Sequence, residues 1–178
     1  METYKMTIAG LERELPIFKL NDKLSIAAFI MFGDAEITVA SARELLKKVP
    51  DFDYILTPEA KSIPLAHEMS RQSGKKYFVA RKGEKVYMGN SFSVEVKSIT
   101  TKKVQKLYLG ELDVEEMKGK NVLIVDDVIS TGESLIAVKK LAEEAGANIV
   151  ASCAVLAEGE AAKREDIIFL EPLPLITK

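Results

Sequence analysis

Asp126 and Asp127 stand side by side at the end of an apolar run, in the stretch "VLIVDDVISTGES" at residues 122–134. Adjacent carboxylates repel each other and resist burial, so the pair implies a ligand that uses both. Carboxylate oxygens accept hydrogen bonds from the vicinal hydroxyls of a sugar, or hold a hydrated Mg²⁺. Directly behind the acids, Ser130, Thr131, Gly132 and Ser134 form a short turn that should open a helix. The first N–H groups of a helix are unpaired and lie at the positive end of its dipole, which suits a phosphate. Gly132 lets backbone approach an anion closely, and the hydroxyls of Thr131 and Ser134 add donors. Ser130 and Glu133 also fit the S-x-x-E capping box, so a plain capped helix accounts for the turn taken alone. A sugar phosphate uses both halves at once: hydroxyls on the acids, phosphate on the turn. The acid strand of a nucleotide hydrolase would require G-x-x-x-x-G-K-[ST], and no glycine here has another five positions on. No two glycines are two apart, so the dinucleotide fingerprint is absent as well.

The elements that must position these residues follow from apolar spacing. "NVLIVDD" is a near-continuous apolar strand of the kind found in parallel sheets covered on both faces. The helix behind the turn carries Leu135, Val138, Leu141, Ala142 and Ala145 on one stripe and ends at Gly146, and "NIVASCAVL" is the next strand. Strand, helix and strand with short links make a right-handed crossover unit. Upstream, "YILT" is a buried strand followed by the turn "PEAKS", a helix over about Ile63 to Ser73 closed by Gly74, and the strand "YFVAR". Asp34 caps an earlier helix carrying Ile37, Ala40, Leu45 and Val49. "YKMTIAG" and "RELPIFKL" read as a small N-terminal hairpin about Gly10. After "KGEK", Phe92, Val94 and Val96 alternate with Ser93, Glu95 and Lys97. "TTKK" reads as a turn and "VQKLYL" as the returning strand of a two-stranded arm. An isolated hairpin is marginal in water, so the arm is expected to be mobile. The fold class is α/β: an open, mainly parallel sheet flanked by helices, with N-terminal elements at about 1–33 and an inserted β-hairpin arm at about 83–110. Ligands of such sheets bind at the carboxyl ends of the strands, where three turns fall: Pro58 to Ser62, Arg81 to Lys85, and Asp126 to Ser134.

The 178 residues fit a single domain able to bury a full core without metal or disulfide staples. Cys153, the one cysteine, excludes an internal disulfide and suits a reducing cytoplasm; in its apolar run it reads as a buried structural thiol. The N-terminus has no signal-peptide pattern. The longest purely apolar run, Ile26 to Phe32, is too short to cross a bilayer, so no membrane partner is expected. Net charge is −2, yet residues 75–110 hold nine basic and two acidic side chains. That is +7 on the segment and −9 on the remainder, which suggests either a solvated face or a polyanionic partner.

"VLIVDDVISTGES" resembles the phosphoribosyl pyrophosphate signature of the type I phosphoribosyltransferases, and the likeness extends over about residues 25–160. "DYILTPEAKSIPLA" resembles the pyrophosphate loop of the adenine and xanthine branch, with Lys61 and Ser62 where that branch usually has Arg and Gly. "YFVARKGEK" is similar to its R-K strand end, "VKSITTKKVQKLYL" to its mobile covering loop, and "VLAEG" to its last strand, near the purine. The N-terminal elements would form the base-binding hood.

The resemblance implies a pentosyl transfer, of adenine type, from phosphoribosyl pyrophosphate to a purine base, with Mg²⁺ held at Asp126 and Asp127, in a homodimer. It places Asp126 and Asp127 on the ribose, and Val128, Ile129, Ser130, Thr131, Gly132, Glu133 and Ser134 around the 5-phosphate. Glu59, Ala60, Lys61 and Lys85 fall to the pyrophosphate side, with Arg81 and Lys82 reaching it from a neighbouring subunit. Asp127, Lys61, Arg81 and Lys82 are then the catalytic set: the three cations supply fixed positive charge to the leaving group, and Asp127 holds the ribose and could assist a purine proton. The basic arm would attract and cover this polyanionic sugar. The other reading is a regulatory protein of the same fold that senses the sugar without turnover. Such a protein would carry a nucleic-acid-binding segment, and the 24 residues before Ser25 are too few for a helix-turn-helix. No nucleic-acid partner is therefore expected. His67 reads as a surface or subunit-contact residue, and Met31, Met69 and Met88 as packing. Phe32 and Tyr87 read as packing in preference to stacking on a purine, and Glu158 as a candidate for the base region.

Overall fold

The computed structural model describes residues 2–97 and 104–177. The N-terminal hairpin forms as its alternation predicts. β1 (Thr3–Ile8) pairs antiparallel with β2 (Leu11–Lys19) through a two-residue turn in which Ala9 and Gly10 both have positive φ, 50° and 83°. β3 (Leu24–Ala27) continues this sheet. Asp34 caps α1 (Ala35–Leu46) by accepting the Ile37 N–H at 3.1 Å, and the Arg13 guanidinium at 2.8 Å ties that cap to β2. β4 (Tyr54–Pro58), α2 (Ile63–Ser73) and β5 (Tyr77–Ala80) follow, with Gly74 ending α2 at φ 72°. The arm is β6 (Phe92–Lys97) and β7 (Val104–Leu109); α3 (Glu111–Met117) leads to β8 (Asn121–Ile129), α4 (Glu133–Glu144), β9 (Asn148–Glu158), β10 (Ile168–Leu173) and β11 (Ile176–Thr177).

The central sheet has the order β10-β9-β8-β4-β5, and every pairing in it is parallel. The strand carrying the acids is therefore interior, which explains its unbroken apolar run. Successive side chains point to opposite faces, and both faces are covered. Val122 and Ile124 enter a core with Leu135, Val138 and Leu141 of α4, while Leu123 and Val125 enter a second core with Ile37 and Leu45 of α1 and Leu65 and Met69 of α2. Cys153 is fully buried, as its run predicts, and Met31, Met69 and Met88 are buried too. His67 is exposed and sits edge-on to the Tyr77 ring at 5.8 Å.

Two expectations need correction. The arm does not stand isolated: Val94, Leu107 and Leu109 are buried in the α4 core, Lys140 of α4 reaches the Glu95 carbonyl at 3.2 Å, and Arg81 and Tyr108 exchange backbone hydrogen bonds of 2.9 and 2.8 Å. Its expected "TTKK" turn lies outside the described residues. Phe32 and Tyr87, expected to pack, are 53% and 73% exposed. The N-terminal sheet also draws on β11 near residue 177, since β11 pairs with β3 and completes the order β1-β2-β3-β11. Among the described residues no helix is long and apolar enough to cross a membrane.

Candidate active site

The acids and the upstream turn are held together by a buried hydroxyl pair. Thr57 donates to the Val125 carbonyl at 2.8 Å, immediately before Asp126, and lies 2.7 Å from the Ser62 hydroxyl, which is 3.1 Å from the Pro58 carbonyl. Two hydroxyl protons serve these three contacts, so the end of β4, the 58–62 turn and β8 share one polar tie. It also explains why Ser62, at the N-terminus of α2, makes no side-chain cap. The Glu59–Ala60 peptide bond within this turn is cis.

A cavity of about 370 Å³ opens where the strands end. It is lined by Glu59, Ala60, Lys61 and Ser62 of the first turn, Lys82 of the second, and Asp126, Asp127, Val128 and Ser134 of the third. The structure thus brings one part of each predicted turn to a common space. Gln105 and Leu107 of the arm also line it and were not among the predicted residues.

Charge inside the cavity is unbalanced. Asp127 is buried, its Oδ2 accepts no aligned hydrogen bond, and the Lys61 ammonium lies 3.2 Å from that oxygen. Asp126 accepts the Asp127 N–H at 2.8 Å. Burial, and then the neighbouring Asp127 charge, push the Asp126 carboxyl up to about 8, while Lys61 pulls it partly back. Such a site favours a proton, a cation or hydroxyl donors between its oxygens. Among the described residues no three His, Cys, Asp or Glu side chains cluster for a metal, so the protein offers at most this carboxylate pair. That donor set fits Mg²⁺, which keeps several waters and is bound through one or two carboxylates plus substrate phosphates.

Arg81 and Lys85 do not line the cavity. Arg81 donates to Glu59 at 3.1 Å and to the Tyr87 hydroxyl, and the Lys82 N–H also reaches Glu59, at 2.9 Å. The Lys82 amide and then the Arg81 guanidinium hold the Glu59 carboxyl below its usual range. Within one chain, Arg81 thus braces the first turn against the second. Lys85 precedes a 3-10 turn at Val86–Met88, pointing its N–H at the Met88 sulfur.

Around the Ser130–Ser134 turn the predicted capping box does not form. Ser130 donates instead to Glu158 at the end of β9, at 2.8 Å, and the Glu133 N–H reaches Thr131 Oγ1 at 3.4 Å. Gly132 takes the N-cap position at φ 82°, a conformation that favours glycine. The helical ladder starts with the Ile136 N–H on the Gly132 carbonyl, which puts the Ser134 and Leu135 amides in the first turn, at the positive end of the helix dipole. Ile129 faces the core, only 2% exposed, and can offer a ligand only its backbone. Arg164, not predicted, comes against this turn from 32 positions downstream; a Cβ on Gly132 would fall 2.7 Å from its Nη1.

Residues 33–173 match the phosphoribosyl transferase domain, most of the chain. The chain belongs to that family. A hypoxanthine/guanine phosphoribosyltransferase of Methanothrix thermoacetophila is 33% identical over 156 residues, covering 85% of this chain and 78% of the relative. The Methanococcus voltae protein of the same name is 40% identical over 110 residues, 62% of this chain but only 55% of the relative. The chain thus spans between about half and four-fifths of the curated relatives it matches. Among solved structures, adenine phosphoribosyltransferase from Thermoanaerobacter pseudethanolicus superposes with a TM-score of 0.67 at 21% identity, covering 96% of this chain and 95% of that one. The Saccharomyces cerevisiae adenine enzyme gives 0.63 at 20%, covering 96% and 92%. At these identities the two share the fold. The domain family accounts for the parallel sheet with helices on both faces.

Proposed function

We propose that the chain transfers the 5-phosphoribosyl group of phosphoribosyl pyrophosphate to a purine, giving a nucleoside monophosphate and pyrophosphate. One observation carries the reading: the Asp126–Asp127 pair and Ser134 of the phosphate turn face the same cavity as Lys61 and Lys82. A ligand with vicinal hydroxyls, a phosphate at one end and a diphosphate at the other suits that distribution.

In the proposed reaction a purine ring nitrogen forms a bond to C1 of the ribose as the C1–oxygen bond to pyrophosphate breaks. The ring nitrogen releases its proton to solvent, and the pyrophosphate leaves with the bonding electrons. Asp126 and Asp127 accept the ribose hydroxyls and fix the sugar. Lys61 and Lys82 hold positive charge where it develops on the leaving group. Gln105 and Leu107 of the arm wall one side of the cavity and help exclude water, which would otherwise compete with the purine. Asp126 and Asp127 would also hold Mg²⁺, which when bound neutralises diphosphate charge. We extend the reading to a homodimer, which would cover the exposed Ile30, Phe32 and Val39 and bring Arg81 towards a second copy's site.

For the base, the relatives that share a third or more of aligned residues are named for hypoxanthine and guanine, whereas those named for adenine share the fold at about one-fifth identity. Sequence likeness is the closer guide to a pocket, so we place a 6-oxopurine ahead of the adenine that the motif resemblance implied. Incubation with phosphoribosyl pyrophosphate and Mg²⁺ against hypoxanthine, guanine, xanthine, adenine, uracil and orotate tests this. Nucleotide from hypoxanthine or guanine is the expected product. Nucleotide from adenine alone overturns the base, and tight sugar binding without any product points to the sensor reading.

A further inference from the structure

Arg164 has no place in the signature, yet it packs against that signature's glycine. After β9 the chain makes a 3-10 turn over Gly159–Lys163, and the Arg164 N–H bonds to the Ala161 carbonyl at 3.1 Å. Its guanidinium is clamped: Nε donates to Asp166 Oδ1 at 2.8 Å and Nη2 to Asp166 Oδ2 at 2.7 Å. Lys139 of α4 stands 3.9 Å from the same carboxylate. The Arg164 guanidinium holds the Asp166 carboxyl down to about 2, so the clamp stays charged at any working pH. With Nε and Nη2 committed, Nη1 is the edge turned to Gly132, 2.7 Å from where a Cβ there would lie.

An arginine fixed in this way differs from a solvated surface cation. Its rotamers are already restricted by a bidentate carboxylate, so little order remains to be lost when an anion arrives. Its side chain is 32% exposed, so its field at the turn is less screened than that of a free lysine. It stands at the N-terminal end of a twelve-residue helix, where the amide dipoles add charge of the same sign. Asp166 neutralises part of the guanidinium charge, but it lies on the Nε/Nη2 edge, away from Gly132.

We propose that Arg164, oriented by Asp166, is the fixed cation of the phosphate turn and sets the affinity for the monophosphate end of the ligand. This rests on the reading of Ser130–Ser134 as that phosphate's seat. It makes Arg164 a binding residue contributed by the segment between β9 and β10, with Asp166 positioning it, and it gives position 132 two reasons to be glycine: the backbone angle, and room for Nη1.

Calorimetric titration of the wild type, Arg164→Met, Arg164→Lys and Asp166→Asn with two probes tests this. Ribose 5-phosphate engages the turn; Mg²⁺-pyrophosphate engages Lys61 and Lys82. Loss of one charge-assisted contact predicts a roughly ten- to hundredfold weaker ribose 5-phosphate affinity in Arg164→Met. Pyrophosphate affinity should stay within about twofold, and the salt dependence of ribose 5-phosphate binding should flatten. Arg164→Lys should recover much of the loss, and Asp166→Asn, which keeps the cation but frees it, should show a smaller loss of the same selectivity. Equal weakening for both probes marks Arg164 as merely structural and overturns the proposal, as does unchanged ribose 5-phosphate binding. If Arg164→Met does not fold, the selectivity in Arg164→Lys and Asp166→Asn decides in the same way. A wild type that binds pyrophosphate but not ribose 5-phosphate refutes the seat itself, and the role of Arg164 with it.

Discussion

Replacing Lys61 with Met keeps the length of the side chain and removes its charge, so it isolates what that charge does. In the ligand-free protein Nζ lies 3.2 Å from Asp127 Oδ2, with the lysine side chain 55% exposed and the aspartate 4%. Two unit charges at that distance attract by about 5 kcal/mol at an effective dielectric constant near 20. Exposure of the lysine, its lost side-chain entropy and salt reduce the net contribution to about 1 kcal/mol. The fold should therefore survive the change with a small loss of stability. Catalysis should suffer more. A charge-assisted contact to the departing pyrophosphate contributes about 1.5–3 kcal/mol, so kcat/KM for phosphoribosyl pyrophosphate should drop roughly ten- to a hundredfold. Lys61 also lowers the Asp126 carboxyl against burial and against Asp127. Without it that carboxyl rises further, and the acid limb of the pH profile moves to higher pH. Steady-state kinetics between pH 5.5 and 9 on wild type, Lys61→Met and Lys61→Arg would show both effects, with Arg restoring the charge. Wild-type kcat/KM in Lys61→Met, or an acid limb that does not move, refutes the reasoning.

Other expectations follow from the same geometry. The folded-state carboxyl of Asp126 is raised to about 8, so the folded protein binds more protons than the unfolded chain between the ordinary carboxylate range and that value. This group's contribution to stability therefore falls as pH rises through that window; thermal melting of the ligand-free protein should show the slope, and Asp126→Asn should lose it. Asp166 acts in the opposite sense, because its carboxyl is lowered to about 2: its stabilisation is present above the ordinary range and disappears as pH falls towards 2. Thr57→Val removes the buried hydroxyl that ties Ser62 to the Val125 carbonyl while Ser62 keeps its contact with the Pro58 carbonyl, a loss of about 1 kcal/mol measurable in urea. Lys82→Ala should weaken pyrophosphate binding, whereas Lys85→Ala, outside the cavity, should not.

The parts of this protein legible in the sequence are those set by local pattern. The run Val122–Val125 announced a strand buried on both faces because each of its side chains had to be apolar, whichever way it pointed. Asp34 and Gly74 marked helix ends because a side-chain acceptor and a left-handed residue act within one turn of chain. What escaped depends on contacts between distant segments. The capping box failed because Ser130 finds Glu158, 28 positions away. Gln105 and Leu107 share one face of β7 by their period, but the period does not say that the face meets a cavity. β11, at two residues, is too short to carry a pattern, and nothing near Arg164 announces Gly132. The acids and the turn stood out as a candidate ligand site because adjacent carboxylates are costly to bury without a partner.

The most direct test of the account is nucleotide formation by the wild type and by the Asp126→Asn/Asp127→Asn double variant, each with phosphoribosyl pyrophosphate, Mg²⁺ and guanine or hypoxanthine, followed by chromatography of the product. The account predicts nucleoside monophosphate and pyrophosphate in equal amounts from the wild type, and none from a double variant that melts as a folded protein. Turnover by the double variant at the wild-type rate would contradict it.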